Sequence, residues 1–365
     1  GTVLALGGEL KNCFCLARDR LYYLSPYVGD MADVRTVQAL RDGISRMKTL
    51  LGIEPSCVAC DLHPRYNTTA VAQEMGLPVI PVQHHFAHIL SCMAENNWES
   101  PVLGVAFDGT GYGTDGTVWG GEILLCDGHE FCRSASIVPF WQRGGDAAAR
   151  EGWRIAVSLI ASLYRQTDEA AAVIDALHLC SREERQMQFF MAQQGLNSVV
   201  STSAGRLFDG VSAILGLARQ SSFEGEAAMQ LQFAARRWMK RHEPVGKDPV
   251  PPQKENGRWI LPTGELVRYM AEEKLAGRNQ DFLAYAFHEQ LARQISGACL
   301  LLSQETGVKT VALSGGVFQN TLLLSLCEQA LKQAGLMVLR HHLVPPNDGG
   351  IALGQAVYAM ANQNR

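Results

Sequence analysis

A pattern that occurs twice in this chain of 365 residues constrains its fold more than any other feature. Residues 2–25 contain a short apolar strand, a turn at Gly7 and Gly8, and two further short strands. Residues 102–137 return to this order, with the strand VLGVAFD, the turn DGTGYGTDG and the strands VWGGEILLC and FCRSASI. The repeated order predicts a duplicated α/β architecture, whose two lobes resemble each other in structure rather than in sequence.

Helices and strands alternate through most of the remaining chain, as the period of the apolar residues indicates. Helices are predicted at residues 34–51, 68–75, 84–95, 205–217, 226–241, 279–306 and 351–362, and strands at 56–61, 78–82 and 336–340. The Pro-rich, charged stretch 243–258 is predicted to be a surface loop or an insertion. We expect residues 1–102 with the final segment 348–365 to form lobe I, and residues 103–347, with helical insertions, to form lobe II.

The composition argues against nucleic-acid and membrane partners. A net charge of −4 and a pI near 6.2 give no basic surface for nucleic acid. No apolar run reaches the roughly 18 residues of a membrane span, and no signal-peptide pattern opens the chain, so we expect a cytoplasmic protein. The Cys57–Cys60 pair lies on a predicted strand, where odd spacing sends the two thiols to opposite faces. We therefore expect buried free cysteines rather than a zinc or redox site.

The segment HHFAH, residues 84–88, is the main candidate for a metal site. On a helix, His84 and His88 share one face and can reach one ion, whereas His85 lies roughly 100° around the helix and should point away. A zinc protease would require H-E-x-x-H, and the second position here is histidine. Histidines that face solvent at a helix cap are the alternative interpretation. Because two ligands are too few for a site, a carboxylate from elsewhere must complete it.

Asp108 and Asp348 are the candidate carboxylates. Asp108 ends the strand VLGVAFD, and Asp348 lies in PPNDGG just before a predicted helix. Either residue alone is more often a turn or N-cap residue than a ligand. Both, however, belong to glycine-rich loops, which occupy residues 7–12, 108–116, 314–320 and 347–350. None of these loops is a P-loop, but together they predict a nucleotide cleft between the lobes, with backbone N–H groups bound to phosphates.

Eight motifs along the chain carry a resemblance to a known family. They are ELKN, HHFAH, FDGTGYG, WGGE, GRLFDGVSAILGL, FEGEAA, SGGVFQN and NDGGIALGQ. Their order is that of the HypF family of hydrogenase maturation carbamoyltransferases, and the whole chain resembles the C-terminal domain of that family. This domain is similar to TsaD-type tRNA threonylcarbamoyltransferases. The resemblance implies the actin-like and Hsp70-like ATPase superfold, an α/β fold of two duplicated lobes with a cleft between them.

The resemblance also implies roles for individual residues. His84, His88 and Asp348 match the metal ligands of the family, and Asp108 matches a further acid at the metal and phosphate. Catalytic roles are assigned to Asp108 and Lys11. The expected nucleotide-binding positions are Asp209, Gly225, Gly315, Gly316 and Asn320. Histidine and carboxylate ligation suits iron, zinc or manganese, with iron or zinc expected and magnesium a further candidate.

The reaction implied by the resemblance is a carbamoyl transfer. In the family, a YrdC-like domain of the full-length chain makes carbamoyl adenylate from carbamoyl phosphate and ATP. The C-terminal domain then passes the carbamoyl group to the C-terminal cysteine of the partner HypE, and the product becomes the cyanide ligand of [NiFe]-hydrogenase. AMP is the leaving group, stabilised by the metal and loop N–H groups. We expect no covalent enzyme intermediate, because the sequence offers no nucleophilic Cys or Ser beside a base.

The acylphosphatase-like, zinc-finger and YrdC-like regions of full-length HypF have no counterpart here, so the chain resembles an excised C-terminal domain.

Three alternative functions remain at this point. A tRNA threonylcarbamoyltransferase would have a more basic surface and a sequence closer to H-x-E-G-H in the helix that carries the metal ligands. A sugar-kinase-like or acetate-kinase-like phosphotransferase shares the fold without the histidine pair. An Hsp70-like binding protein switched by nucleotide is the non-enzymatic alternative.

Overall fold

The computed structural model describes residues 1–240 and 249–363. Its first sheet has five strands in the order β3-β2-β1-β4-β5. These strands are β1 Thr2–Ala5, β2 Cys15–Arg18, β3 Leu21–Leu24, β4 Cys57–Asp61 and β5 Val79–Val82. The first three are antiparallel to one another, and β4 and β5 run parallel to β1.

The second sheet has nine strands among the described residues, in the order β11-β12-β8-β7-β6-β13-β14, with β10 joining β7 to β9. The long central strands are β6 Val102–Tyr112, β7 Val118–Cys126 and β8 Phe131–Ile137. The remaining strands are β9 Phe140–Arg143, β10 Ser198–Ser201, β11 Gln253–Glu255, β12 Arg258–Leu261, β13 Thr310–Ser314 and β14 Met337–Leu339.

A helix lies close to each of the seven predicted ranges, and the described residues form five further α-helices. The α-helices are α1 Val34–Leu51, α2 Asn67–Glu74, α3 His84–Glu95, α4 Gly152–Leu163, α5 Thr167–Ala176, α6 Arg182–Gln194, α7 Ala204–Ile214, α8 Glu226–Met239, α9 Thr263–Leu275, α10 Gln280–Thr306, α11 Thr321–Gln333 and α12 Ile351–Asn362. None of the described helices is both long enough and apolar enough to cross a membrane.

The predicted duplication is confirmed by the strand order. In the first sheet the order β3-β2-β1-β4-β5 combines an antiparallel meander with two parallel strands. The core of the second sheet, β8-β7-β6-β13-β14, has the same order and the same directions. The strand that comes first in sequence, β1 in one sheet and β6 in the other, therefore lies at the centre. Its carboxyl end lies beside that of its parallel neighbour, β4 or β13.

The prediction of a surface loop or insertion at residues 243–258 is wrong in part. Residues 243–248 lie outside the described residues, as does residue 241 of the predicted helix 226–241. Within the rest of the stretch, β11 and β12 form a hairpin, and β12 extends the second sheet parallel to β8. The apolar side chains of Ile260 and Leu261 lie beyond the Pro-rich stretch and are buried, which anchors the hairpin to the sheet edge.

Helices α3 and α12 lie between the two sheets and position the functional residues. α12 packs on the first sheet and on α3, while α3 packs on β6 and β13 of the second sheet. The two helices touch at the backbone, because a Cβ atom on Gly354 would lie 1.8 Å from the carbonyl oxygen of Ala87. Glycine at this position therefore lets α12 pack closely against the start of α3. The lobe boundaries near residue 102 stay predictions.

The prediction that Cys57 and Cys60 lie on opposite faces of their strand is confirmed. Cys57 packs in the apolar cluster beneath α12, and Cys60 packs in the cluster beneath α1, on the opposite face of β4. All ten cysteines are free.

Candidate active site

The histidines of HHFAH lie on the first turns of α3 and are buried. Gln83 caps the helix by accepting a hydrogen bond from the Phe86 N–H at 2.8 Å. The rings of His84 and His88 are 5.0 Å apart, on one face of the helix. His85 contacts the Gln83 side chain through Nδ1 at 3.2 Å, and burial lowers its pKa well below the usual range, which leaves it neutral. Full burial excludes the solvent-facing cap.

Four side chains converge at this helix start. Asp108, on β6, accepts a hydrogen bond at Oδ1 from the Gly316 N–H at 2.9 Å, which leaves Oδ2 3.2 Å from His84 Nε2. Oδ1 of Asp348, in the turn before α12, lies 3.7 Å from His84 Nε2 and 3.6 Å from His88 Nε2. One ligand atom from each of His84, His88, Asp108 and Asp348 lies within 4.8 Å of the others.

These residues fit a divalent metal ion. Nitrogen and oxygen ligands at about 2.1 Å from a tetrahedral ion are roughly 3.4 Å apart, close to the observed separations. Nε2 of His88 is buried and has no hydrogen-bond partner, which is costly unless a cation or a proton donor occupies the centre. The mixed imidazole and carboxylate set suits iron, zinc or manganese.

Asp61 is a functional residue that the sequence analysis missed. Its Oδ2 lies 2.7 Å from His84 Nδ1, and its Oδ1 accepts the His63 N–H at 2.9 Å. The carboxylate thereby fixes the His84 ring and leaves Nε2 facing the cluster, as is typical of metal-binding histidines. Asp61 ends a buried strand, which is the position predicted for Asp108, and that position was the available signal. The prediction is wrong for Asp108 itself, because β6 continues beyond it to Tyr112.

The charged groups of the cluster shift one another's pKa values. Burial would lower the pKa of His84, but the charge of Asp61 and the hydrogen bond with Asp108 outweigh burial and raise it well above the usual range. The pKa of His88 is also raised, because contacts with Asp108 and Asp348 outweigh burial. Burial would raise the pKa of Asp108, but both histidines lower it well below the usual range. Without a metal, the cluster therefore holds protons between its carboxylates.

A cavity of about 610 Å³ opens from this cluster between the two sheets. Asp108 and Asp348 of the cluster line it, as do Phe233 and Arg236 of α8. Its volume is in the range of small-molecule and cofactor sites. Most of the predicted nucleotide residues line it, namely Asp209, Gly225, Gly316 and Asn320.

Asp209 is a buried acid on the cavity wall. Its Oδ2 lies 2.8 Å from Arg206 Nε, without the alignment of a hydrogen bond. Burial raises the pKa of Asp209 to about 6, and the positive charge of Arg206 only partly opposes it. A buried oxygen with unused acceptor capacity suits the hydroxyl donors of a sugar. Gly225, at φ 78°, caps α8, whose N-terminus begins at the cavity wall.

Gly315 and Asn320 both have a role in the fold, and of the two only Asn320 lines the cavity. A Cβ atom on Gly315, which has φ 104°, would lie 2.1 Å from the carbonyl oxygen of Phe107. Asn320 contacts His288 Nε2 through Nδ2 at 2.8 Å and accepts the Leu323 N–H at 3.1 Å. The Asn320 amide is therefore already engaged, and a direct role for it in nucleotide binding stays a prediction.

Lys11 approaches the cavity from the loop after β1. It has φ 48°, and its backbone N–H donates to Asp30 Oδ1 at 2.8 Å. Its ammonium group forms an ion pair with Glu224, in the loop before α8, and both residues line the cavity. This pair joins the loop after β1 to the loop that precedes α8, at the cavity wall.

The expectation that no serine lies beside a base is wrong. Ser314 Oγ lies 2.8 Å from His341 Nε2, and His341 Nδ1 lies 2.9 Å from Glu95 Oε2. The three residues are far apart in the sequence, so no spacing could reveal them. Ser314 is, however, completely buried and does not line the cavity, so the arrangement gives no access to a substrate.

Two family models together match nearly the whole chain. The model "HypF Kae1-like domain" matches residues 1–95, and "Carbamoyltransferase, Kae1-like Domain, second subdomain" matches residues 104–355. Carbamoyltransferase HypF of Rhizobium leguminosarum bv. viciae is 34% identical, over 98% of this chain and 45% of its own length. A HypF homolog of Cupriavidus necator is 36% identical, over 97% of this chain and 90% of its own length.

Solved structures agree with these matches. Full-length HypF in a phosphate- and nucleotide-bound form has a TM-score of 0.90 at 34% identity, covering 98% of this chain and 46% of that one. HypF of T. kodakarensis has a TM-score of 0.87 at 31% identity, covering 100% of this chain and 48% of that one. The chain thus spans about half the length of most curated relatives it matches. The predicted actin-like fold is confirmed, and the chain belongs to the HypF carbamoyltransferase family.

Proposed function

We propose that this chain transfers a carbamoyl group from carbamoyl adenylate to the C-terminal cysteine thiol of HypE. The product would be the precursor of the cyanide ligand of [NiFe]-hydrogenase. The observation that carries the proposal is the cluster of His84, His88, Asp108 and Asp348, whose two aspartates line a nucleotide-sized cavity. The nucleotide and phosphate bound to a HypF relative support the same assignment.

A divalent metal, with iron or zinc the first candidates and manganese or magnesium the next, would be held by His84, His88 and Asp348 with Asp108 adjacent. When bound, it supplies a Lewis acid for phosphate and carbonyl oxygens. The buried, unpartnered Nε2 of His88 and the orientation of His84 by Asp61 support this assignment.

The other residues bind and orient the adenylate. Asp209 would accept hydrogen bonds from the ribose, the N-terminus of α8 at Gly225 lies beside the nucleoside, and Lys11 would pair with the phosphate. In the transfer, a C–S bond forms between the thiolate and the carbamoyl carbon as the carbonyl–oxygen bond to the phosphate breaks. AMP leaves with the electron pair, and the thiol proton passes to solvent before attack.

The proposal divides the labour between domains. The YrdC-like domain of a full-length HypF chain would make carbamoyl adenylate, and this domain would use it. The nucleotide therefore serves as carrier and leaving group here, entering as the adenylate and leaving as AMP. A cytoplasmic location follows if HypE is the acceptor, and it stays an expectation. No observation at the described site favours the tRNA-modifying or kinase-like alternatives.

The test supplies each substrate separately. The metal-loaded chain is incubated with HypE and carbamoyl adenylate, or with a separate YrdC-like domain, carbamoyl phosphate and ATP, and HypE is weighed by mass spectrometry. We expect carbamoylated HypE in both cases, and almost none when the chain receives only carbamoyl phosphate and ATP.

His88→Ala removes a metal ligand and should abolish transfer even from carbamoyl adenylate. His129→Ala changes an exposed histidine in the turn between β7 and β8 and is the matched control. Transfer by His88→Ala at the rate of the unsubstituted chain would refute the metal centre. A full reaction from carbamoyl phosphate and ATP alone would refute the division of labour.

A further inference from the structure

Residues 340–347, which we call the approach segment, lead from β14 to Asp348 and are tied to the end of α3. Asn96 donates from Nδ2 to the Arg340 carbonyl oxygen at 3.0 Å. Glu95 Oε1 accepts the backbone N–H groups of three consecutive residues, His342 at 2.9 Å, Leu343, and Val344 at 3.2 Å. One carboxylate thereby holds the approach segment against the helix whose first turns carry His84 and His88.

The second oxygen of Glu95 begins a hydrogen-bond chain to β13. Burial lowers the pKa of His341 to about 4, against the opposing effect of Glu95, so the ring is neutral. Nδ1–H then donates to Glu95 Oε2 at 2.9 Å, and Nε2 accepts the Ser314 hydroxyl at 2.8 Å. A parallel backbone bond runs from the Gly315 N–H to the Pro346 carbonyl oxygen at 3.0 Å.

Ser314, His341 and Glu95 are arranged like a serine nucleophile with its base and acid, but no substrate can reach the serine. Ser314 is completely buried, and none of the three lines the cavity. No substrate atom can reach the Ser314 hydroxyl in this conformation, so activation of a nucleophile does not explain these hydrogen bonds. A positioning role does explain them, because the three side chains join the elements that carry the cluster.

We propose that Glu95, His341 and Ser314 are positioning residues that fix Asp348 against His84 and His88. They would thereby set the metal affinity of the centre without touching the metal. This inference deepens the proposed function and rests on its metal centre.

The topology shows why these residues control the geometry. α3 supplies His84 and His88 at one end and Glu95 at the other. The approach segment supplies Asp348, and β13 leads to Gly316, whose N–H orients Asp108 at 2.9 Å. All three elements meet at the hydrogen bonds that join Glu95, His341 and Ser314. Loss of these hydrogen bonds would free the approach segment. Small displacements of a ligand residue lower the affinity of a metal site.

The experiment measures Co²⁺ binding by calorimetry and the visible absorption of the Co²⁺-loaded chain. His341→Ala and Glu95→Ala should weaken Co²⁺ binding by about tenfold or more and alter the absorption bands. His341→Gln keeps a donor for Glu95 and an acceptor for Ser314, and it should bind within about threefold of the unsubstituted chain.

Glu184→Ala is the control, because Glu184 likewise accepts a backbone N–H group, that of Ser181, and pairs with Arg219, but on α6, outside the cavity and the cluster. It should lower thermal stability while the Co²⁺ affinity and spectrum stay unchanged. If Glu95→Ala does not fold, the comparison of His341→Ala with His341→Gln decides. Equal Co²⁺ affinity in those two variants would overturn the inference. Absence of Co²⁺ binding by the unsubstituted chain would instead overturn the metal centre, and this inference with it.

Discussion

Nδ1 of His84 lies 2.7 Å from Oδ2 of Asp61, and both side chains are buried. This contact fixes the imidazole tautomer, with the proton on Nδ1, so that Nε2 is free to bind a cation. The ring cannot turn without leaving the buried Oδ2 of Asp61 unpaired, which costs more than an ordinary hydrogen bond contributes. Asp61 therefore acts on the centre through His84.

We expect Asp61→Asn to weaken metal binding by about 10- to 100-fold, the range found for partners of metal-binding histidines. An asparagine amide can present the wrong atom to Nδ1 and favour the other tautomer. Asp33→Asn is the control, because Asp33 caps α1 and pairs with Arg35 at the surface. Calorimetric titration with Zn²⁺ or Co²⁺ measures the effect, and unchanged affinity in Asp61→Asn would exclude the orienting role.

Metal binding should release protons at neutral pH. The pKa values of His84 and His88 are raised in the metal-free cluster, because the carboxylates outweigh burial. A metal must displace these protons to bind. The affinity of the cluster for the metal should therefore rise with pH until the pH exceeds the raised pKa values of the two histidines. In the metal-free chain, the stability that the charged histidines add is fully present below the ordinary value of 6.5 and is lost above the raised value.

The number of protons released is obtained by calorimetry in buffers of different ionisation enthalpy. The unsubstituted chain should release protons at pH 7, and His88→Ala should release fewer while binding more weakly. Binding without proton release would contradict the charged state assigned to the cluster.

The ion pair of Lys11 with Glu224 should compete with nucleotide phosphate. Both groups line the cavity, and the ammonium also feels the charges of Asp108 and Asp348. Glu224→Gln removes a negative charge near the phosphate position and frees Lys11, so AMP should bind more tightly, by about threefold for a partly exposed pair. Lys11→Met should weaken AMP binding, and both effects should shrink at high salt.

Glu305→Gln is the matched control, because Glu305 pairs with Lys254 and neither residue lines the cavity. It should leave AMP affinity unchanged in the same titrations. Weaker AMP binding by Glu224→Gln would mean that Glu224 helps to bind the nucleotide rather than competing with it.

The sequence predicts those features that depend on local pattern. The bounds of α1 and α12 follow from apolar periodicity and caps, and the spacing of His84 and His88 alone places them on one face. Asp108 and Asp348 could be selected because glycines follow each of them. The duplicated order of strands could also be recognised from the two glycine turns and their flanking apolar runs.

The features that depend on contacts between distant segments could not be predicted. Glu95 and His341 are 246 positions apart, and only the packing of α3 beside the approach segment brings them together. The engagement of Asn320 by His288 likewise depends on how α10 packs beside the loop after β13. Residues that orient a site carry no local signal of their own, because their partners are set by the tertiary fold.

Asp209 should make the stability of the nucleotide-free chain depend on pH. Burial raises its folded-state pKa from 3.8 to about 6, so between these values the folded chain holds a proton that the unfolded chain has lost. The free energy of unfolding therefore falls as pH rises through this range. The difference corresponds to roughly 3 kcal/mol at most. Asp209→Asn cannot lose a proton, so its stability should not show this fall.

Chemical denaturation of both chains between pH 4 and 7 measures the difference, and Asp281→Asn, at an exposed ion pair with Arg237, is the control. The stability of the unsubstituted chain relative to Asp209→Asn should decline as pH rises and level off above about 6. At pH 7, Asp209→Asn should also bind AMP more weakly, because the amide is a poorer acceptor for ribose hydroxyls than a carboxylate. Its affinity for metal should not change, since Asp209 is not one of the cluster residues. A parallel pH dependence in the two chains would show that Asp209 stays ionised in the folded state, and unchanged AMP affinity would place the ribose elsewhere in the cavity.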